Sequence, residues 1–133
     1  MLSTDDRLAI LDLYSRYNVL VDSRDERWAE VFTGDGTFTA RGNTFEARDG
    51  LLGYIAGLVE ADKTAVLIDT QHWNNNIELT ADGDEVRGTC YLIRVGRNTQ
   101  TGQLDILTLG RYEDRIVNSS SGWVFASRHA TIL

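Results

Sequence analysis

From residue 66 onward the sequence is almost all strand pattern, cut at three places by turn signals. The runs are residues 66–79, 86–95, 104–117 and 123–132. They are separated by Asp82-Gly83, by a polar stretch ending at Gly102, and by residues 118–122. Asp-Gly between strand patterns is a strong hairpin signal. Four long strands joined by turns form an antiparallel meander, and one face of such a sheet must be covered by apolar material from elsewhere in the chain.

That material has to come from the first half. Thr4 is placed as a helix N-cap, and Asp5 and Asp6 suit a first turn, where negative charge meets the positive end of the helix dipole. Ile10, Tyr14, Tyr17 and Val21 follow at helical spacing, so a helix over 4–22 carries one apolar stripe. A second helix is expected over 25–32, burying Trp28, Val31 and Phe32, with Gly34 as its left-handed stop. Residues 37–41 and 44–47 form short strands around Gly42-Asn43. Asp49 is placed as the cap of a third helix carrying Leu51, Leu52, Ile55, Leu58 and Val59, although Gly50, Gly53 and Gly57 lower its propensity. Helices followed by a meander make an α+β domain. At 133 residues, with no repeat, linker or low-complexity stretch, the chain is read as one domain over 1–133. A strongly curved sheet wrapped around the helices leaves a pocket between the layers, where a ligand sits.

Net charge is −7, and the thirteen Lys and Arg are scattered. A nucleic-acid partner needs a clustered basic face, so that class is set aside, as is an anionic membrane surface. Cys90 is the single cysteine, so no internal disulfide can form. The start, MLSTDDR, has acids where a signal peptide carries positive charge, and the cytoplasm is the expected compartment. There is no glycine-rich nucleotide motif, no serine elbow and no H-E-x-x-H. The expectation is cofactor-free and metal-free proton transfer on a small hydrophobic molecule.

Few residues can carry that chemistry. Asp22 ends an apolar helix at the negative end of its dipole, where a carboxylate needs a partner; the alternative is an exposed acid that terminates the helix. His72 lies inside a strand, and period-two alternation puts it on one face with Thr70, Asn74 and Asn76, opposite Trp73, Ile77 and Leu79. That polar face either lines a pocket or meets solvent. Tyr17 approaches from the same helix as Asp22, or is a core tyrosine. Arg128 shares its face with Ala126 and Ala130, opposite Phe125, Ser127 and His129. It points into a cavity or pairs with an acid.

Taken in order, these segments resemble a known family. The run from Ile10 to Tyr17, then Val21-Asp22, Trp28 to Phe32, and Asp35 to Phe38 is similar to the start of SnoaL-like proteins. These belong to the nuclear-transport-factor-like, scytalone dehydratase and ketosteroid isomerase superfamily. His72 with Asn76, Asp82-Gly83-Asp84, the segment Gly110 to Asp114, and Gly122-Trp123 up to Arg128 resemble its later strands. The resemblance implies a cone of N-terminal helices packed on a curved, mostly antiparallel sheet around an apolar pocket. Within the family the pattern is nearest to bile-acid dehydratase and hexachlorocyclohexane dehydrochlorinase. It implies His72 as base, Asp22 as its orienter and Tyr17 as a hydrogen-bond donor, with Arg128, Asn76, Tyr14 and Trp28 as substrate contacts. The implied activity is a dehydratase-like lyase acting on a small, hydrophobic, cyclic substrate. An isomerase, a polyketide cyclase, and a non-catalytic ligand-binding or oxygenase small-subunit role are the alternatives. The resemblance also implies a homodimer or homotrimer.

Overall fold

The structure, a computed structural model, describes residues 2–133. Helix α1 spans Thr4–Asp22. Its N-cap is Ser3, one residue earlier than expected, because the Ser3 hydroxyl accepts the Asp6 N–H at 3.0 Å. Ile10, Tyr14, Tyr17 and Val21 are all buried, so the expected stripe is the face that packs. A 3₁₀ helix, Glu26–Val31, follows, capped by Asp25, whose side chain accepts the Arg27 N–H. It runs straight into strand β1, Phe32–Ala40, with Phe32 already extended. Gly34 is therefore a strand residue and not a helix stop; no left-handed residue is needed at that junction.

Strand β2, Asn43–Glu46, pairs antiparallel with β1. Helix α2, Ala47–Asp62, starts two residues before Asp49, which falls in its first turn. Its N-cap, Glu46, makes no side-chain cap bond. The neighbouring Phe45 ring packs edge-on against Tyr54 of the helix, centroids 5.0 Å apart, so apolar docking fixes the helix start in place of a polar cap.

Strands β3 (Leu67–Asp82), β4 (Glu85–Asn98), β5 (Leu104–Ser119) and β6 (Gly122–Ile132) form the expected meander. The sheet order is β2-β1-β6-β5-β4-β3, and only β1 with β6 runs parallel. Gly83 takes the left-handed conformation that the β3–β4 turn demands. The two helices and the 3₁₀ turn cover the inner face, and Leu51, Ile55, Leu92, Tyr112, Ile116 and Phe125 close the core. The outer face keeps Trp73, Tyr91, Ile106 and Leu109 exposed. Among the described residues, no helix is long and apolar enough to cross a membrane.

Two β-bulges bend β3, one after Ile68 and one after Asn75. Asp69 and Asn76 take up positive φ there (52° each), residue types that tolerate it best after glycine. The second bulge inverts the strand's phase. Thr70, His72 and Asn74 face inward as expected, but beyond Asn76 the inward residues are Ile77 and Leu79, which pack on the core. Only Trp73 stays outside of the three residues assigned to the other face. A bulge in the β5–β6 pairing between Arg115 and Ile116 has a similar effect on β6. Phe125 is buried along with Arg128 there, not opposite it.

Gly110 leaves no room for a side chain between β5 and β6: a Cβ there would collide with the Thr131 carbonyl oxygen. That obstacle is backbone and cannot rotate away. Gly110→Ala should destabilise by about 1–3 kcal/mol, the usual cost of overpacking, read as a lower urea midpoint with unchanged m-value.

Candidate functional site

The C-terminal turn of α1 lies along β3 with matched spacing. Four helical residues rise about 6 Å, and two strand residues span about 6.6 Å. Residues i and i+4 of the helix can therefore meet residues j and j−2 of the strand. Asn18 donates its side-chain amide to the Asn74 oxygen at 2.8 Å. One turn later, Asp22 meets His72. The His72 backbone N–H points at both Asp22 oxygens (3.1 and 3.0 Å), and ring Nδ1 lies 2.5 Å from Oδ1.

The chain around Asp22 is held from several sides. Ser23 closes the helix by donating its hydroxyl to the Val19 and Leu20 carbonyls. Arg24, left-handed at φ 55°, turns back and donates to the Val21 carbonyl. The same guanidinium grips Asp62 at the end of α2 through two bonds (3.0 and 3.1 Å) and reaches the Thr70 hydroxyl at 3.4 Å. One arginine thus ties the ends of both helices to the strand that carries His72. That contact keeps the Asp62 carboxyl below its ordinary range.

His72 is 7% exposed. Burial pulls its pKa below the ordinary 6.5; the Asp22 carboxylate opposes this, while the charges of Arg94 and Arg24 add to it. That shift favours the neutral ring. With Nδ1–H donated to Asp22, the lone pair sits on Nε2, the arrangement a general base needs. His72 and Asp22 line an open depression of about 520 Å³ together with Asn18, Thr70 and Gln71.

The lowered pKa has a signed consequence. Between the folded pKa and 6.5 the unfolded chain binds a proton that the folded chain refuses. Stability therefore rises with pH through that window, and is lost as pH falls through it. Urea unfolding at pH 5.5 and 7.5 should show the lower stability at pH 5.5, and His72→Gln should shrink the difference.

The other expected site residues lie elsewhere. Tyr17, Tyr14, Trp28 and Arg128 gather in the core, all at most 2% exposed. Arg128 forms a two-pronged pair with Asp114: Nε to Oδ1 at 2.9 Å and Nη2 to Oδ2 at 3.2 Å. Tyr14 donates its hydroxyl to the same carboxylate at 2.6 Å. The Arg128 guanidinium lies over the rings of Tyr112, Tyr17, Phe125 and Tyr14, at 3.6 to 4.9 Å from their centroids. Tyr17 packs edge-on against Trp28, Tyr112 and Phe125, and burial drives its phenol pKa well up. Tyr17 therefore sits with Arg128 and not at the Asp22–His72 contact, because the helix turns its side chain into the core stripe. Trp28 is likewise buried, wedged against Phe32, Phe38 and Tyr54, with its indole N–H left without a partner. Asn76 stands apart, exposed on the β3 bulge, since its positive φ takes it out of the inward row. Cys90 is buried beside Arg128, its thiol pushed up to about 11 by burial.

Sequence reading left Asn18 and Arg24 without a role and gave Asn74 none beyond its place on the His72 face. The signal was there for Asn18 and Asn74: Asn18 precedes Asp22 by four, and Asn74 follows His72 by two. Arg24 gave no such signal, because its partner Asp62 is far away in sequence. Among the described residues, no group of three or more His, Cys, Asp or Glu is placed to hold a metal ion.

The sequence matches the SnoaL-like domain family over residues 3–129. A search of curated proteins returned no match. Among solved structures, Rv3472 of Mycobacterium tuberculosis, a protein of unknown function, is 25% identical with a TM-score of 0.86, over 98% of this chain and 78% of that one. A nuclear-transport-factor-like protein with a cystatin-like fold from Novosphingobium aromaticivorans is 22% identical, TM-score 0.84, over 97% of this chain and 82% of its own. A scytalone dehydratase-like protein of Novosphingobium aromaticivorans DSM 12444 is 22% identical, TM-score 0.77, over 98% and 89%. The helices on a curved six-stranded sheet are the cone fold of these proteins.

Proposed function

This chain belongs to the SnoaL-like domain family, and from that premise we propose that it is a cofactor-independent lyase in which His72 removes a proton from carbon. The fold family includes dehydratases, cyclases and isomerases, and all three activities can begin with that step. The observation that carries the reading is the 2.5 Å contact between His72 Nδ1 and Asp22. It fixes one tautomer and leaves Nε2 as the base. Once His72 is protonated, the Asp22 carboxylate stabilises the imidazolium. The likeness to a scytalone dehydratase-like protein favours loss of water as the second step. The substrate proposed is small, hydrophobic and cyclic.

The test is a panel of cyclic β-hydroxy ketones incubated in D₂O with the protein. Loss of water with formation of the conjugated ketone supports the lyase. Deuterium uptake or double-bond migration without loss of water makes it an isomerase. Binding without either reaction assigns a carrier or subunit role.

A further inference from the structure

Three arginines are drawn in from solvent: Arg24, Arg94 and Arg128. Two of them hold a carboxylate with two prongs, Arg24 on Asp62 and Arg128 on Asp114. Arg94 holds nothing. Among the described residues it takes part in no ion pair, and its Nε is buried without a hydrogen-bond partner. Burying the Nε–H of a guanidinium without an acceptor is costly.

Its position gives that cost a meaning. Arg94 on β4 is the cross-strand partner of His72, and Thr108 on β5 is the partner of Arg94. Directly opposed residues share a face, with Cβ atoms about 4.5–5.5 Å apart. His72, Arg94 and Thr108 therefore form one polar row on the inner face of the sheet. The adjacent inward row is Asn74, Leu92 and Gly110, and its one polar member is answered: Asn74 accepts from the Asn18 amide and donates to the Tyr91 carbonyl. Thr108 is 4% exposed, and its hydroxyl oxygen is also buried without a partner. Two unanswered polar groups stand side by side next to the base, and Tyr54 of α2 lies within the field of Arg94.

We propose that Arg94 and Thr108 form an oxyanion-binding subsite beside His72, and that the molecule processed there presents a ketone oxygen on the carbon next to the C–H that His72 attacks. The role rests on the proton-abstraction reading, although occupation of the subsite does not. In the step, the C–H bond breaks, the proton goes to His72 Nε2, and the electron pair moves into an enolate whose oxygen accepts from Arg94. The pair then returns to expel the β-hydroxyl, which leaves as water with the proton His72 carries. A neutral hydrocarbon or halocarbon would leave the Arg94 Nε–H without an acceptor, as it is now.

Titration calorimetry with benzoate and its neutral isostere benzamide tests this on the full chain. Benzoate should bind about tenfold or more tightly than benzamide, the scale of one charge-assisted hydrogen bond. Arg94→Gln should erase the preference, Arg94→Lys should keep part of it because the charge stays, and Thr108→Val should weaken it a few-fold. His72→Gln should leave the preference in place while abolishing turnover, which separates the subsite from the base. Equal affinities for the two probes, or a benzoate preference that survives Arg94→Gln, overturns the proposal. If Arg94→Gln fails to fold, Arg94→Lys decides: an undiminished preference in that variant counts against a forked contact. A benzoate preference confined to Arg94 alongside unchanged turnover in His72→Gln would uphold the subsite and remove the lyase reading.

Discussion

His72→Gln should lower kcat/KM by about 10²–10⁴-fold, the usual contribution of a positioned general base. Glutamine can still donate an amide N–H to Asp22, so the fold should survive and the loss should be chemical. Asp22→Asn should cost nearly as much by a different route. An asparagine cannot hold Nδ1–H as a carboxylate does, nor balance the imidazolium that forms. It also weakens the grip on the His72 backbone N–H, which both Asp22 oxygens now share. Groups that act as a unit are not additive, so the double variant should be little worse than the worse single one. Steady-state kinetics of the three variants on a substrate from the β-hydroxy ketone panel checks this. A full rate in either single variant would remove the pair from the mechanism.

The largest stability effect should come from Arg128→Met. The Arg128–Asp114 pair is fully enclosed, with neither side chain accessible. Breaking such a pair from one side typically costs about 3–5 kcal/mol, because the partner charge is left buried alone. The remaining Asp114 would then obey burial, which already pushes its carboxyl upward against the pull of Arg128 and Tyr14. A carboxyl with a raised folded pKa binds its proton in the folded state first, so stability falls as pH rises above its unfolded value. The loss caused by Arg128→Met, relative to the parent chain, should accordingly be smaller at pH 5 than at pH 8. The double replacement Arg128→Met with Asp114→Leu should recover most of the loss, since apolar groups of similar volume replace buried pairs at little cost. Urea unfolding of the single and double variants at both pH values measures all of this. A single-variant loss below about 1 kcal/mol would mean that the pair contributes no more than a surface contact does.

Much of this was legible before any coordinate. The meander was, because Asp82-Gly83 and the strand runs are local signals and the sheet obeys them. The stripe Ile10, Tyr14, Tyr17 and Val21 was, because helical spacing decides which face packs. Phase along β3 was only half legible: alternation holds from Thr70 to Asn74 and fails at Asn76, where a bulge inserts a residue that no pattern announces. Helix starts slipped by one and three residues, since Ser3 and not Thr4 caps α1, and α2 starts after Glu46 and not after Asp49, with apolar docking of Phe45 in place of a cap. The residues assigned to the site divided along the same line. Asp22 and His72 meet. Tyr17, Tyr14, Trp28 and Arg128 share a different cluster, because sequence order cannot tell a charge aimed at a ligand from one aimed at Asp114. Arg94 escaped notice because its importance lies in lacking a partner, and only coordinates reveal that.

The pairing of β1 with β6 has a consequence for how the chain is made. β1 is synthesised early, yet its parallel partner is β6, which comes last among the described strands. Until β6 has left the ribosome, the β1–β2 pair and α2 have no larger sheet to join, and Phe32 and Tyr17 lack the Phe125 ring they pack on. Non-local pairing of this kind delays folding. A nascent chain stalled after β5 should therefore remain protease-sensitive throughout residues 26–62, and should acquire protection in one step when β6 emerges.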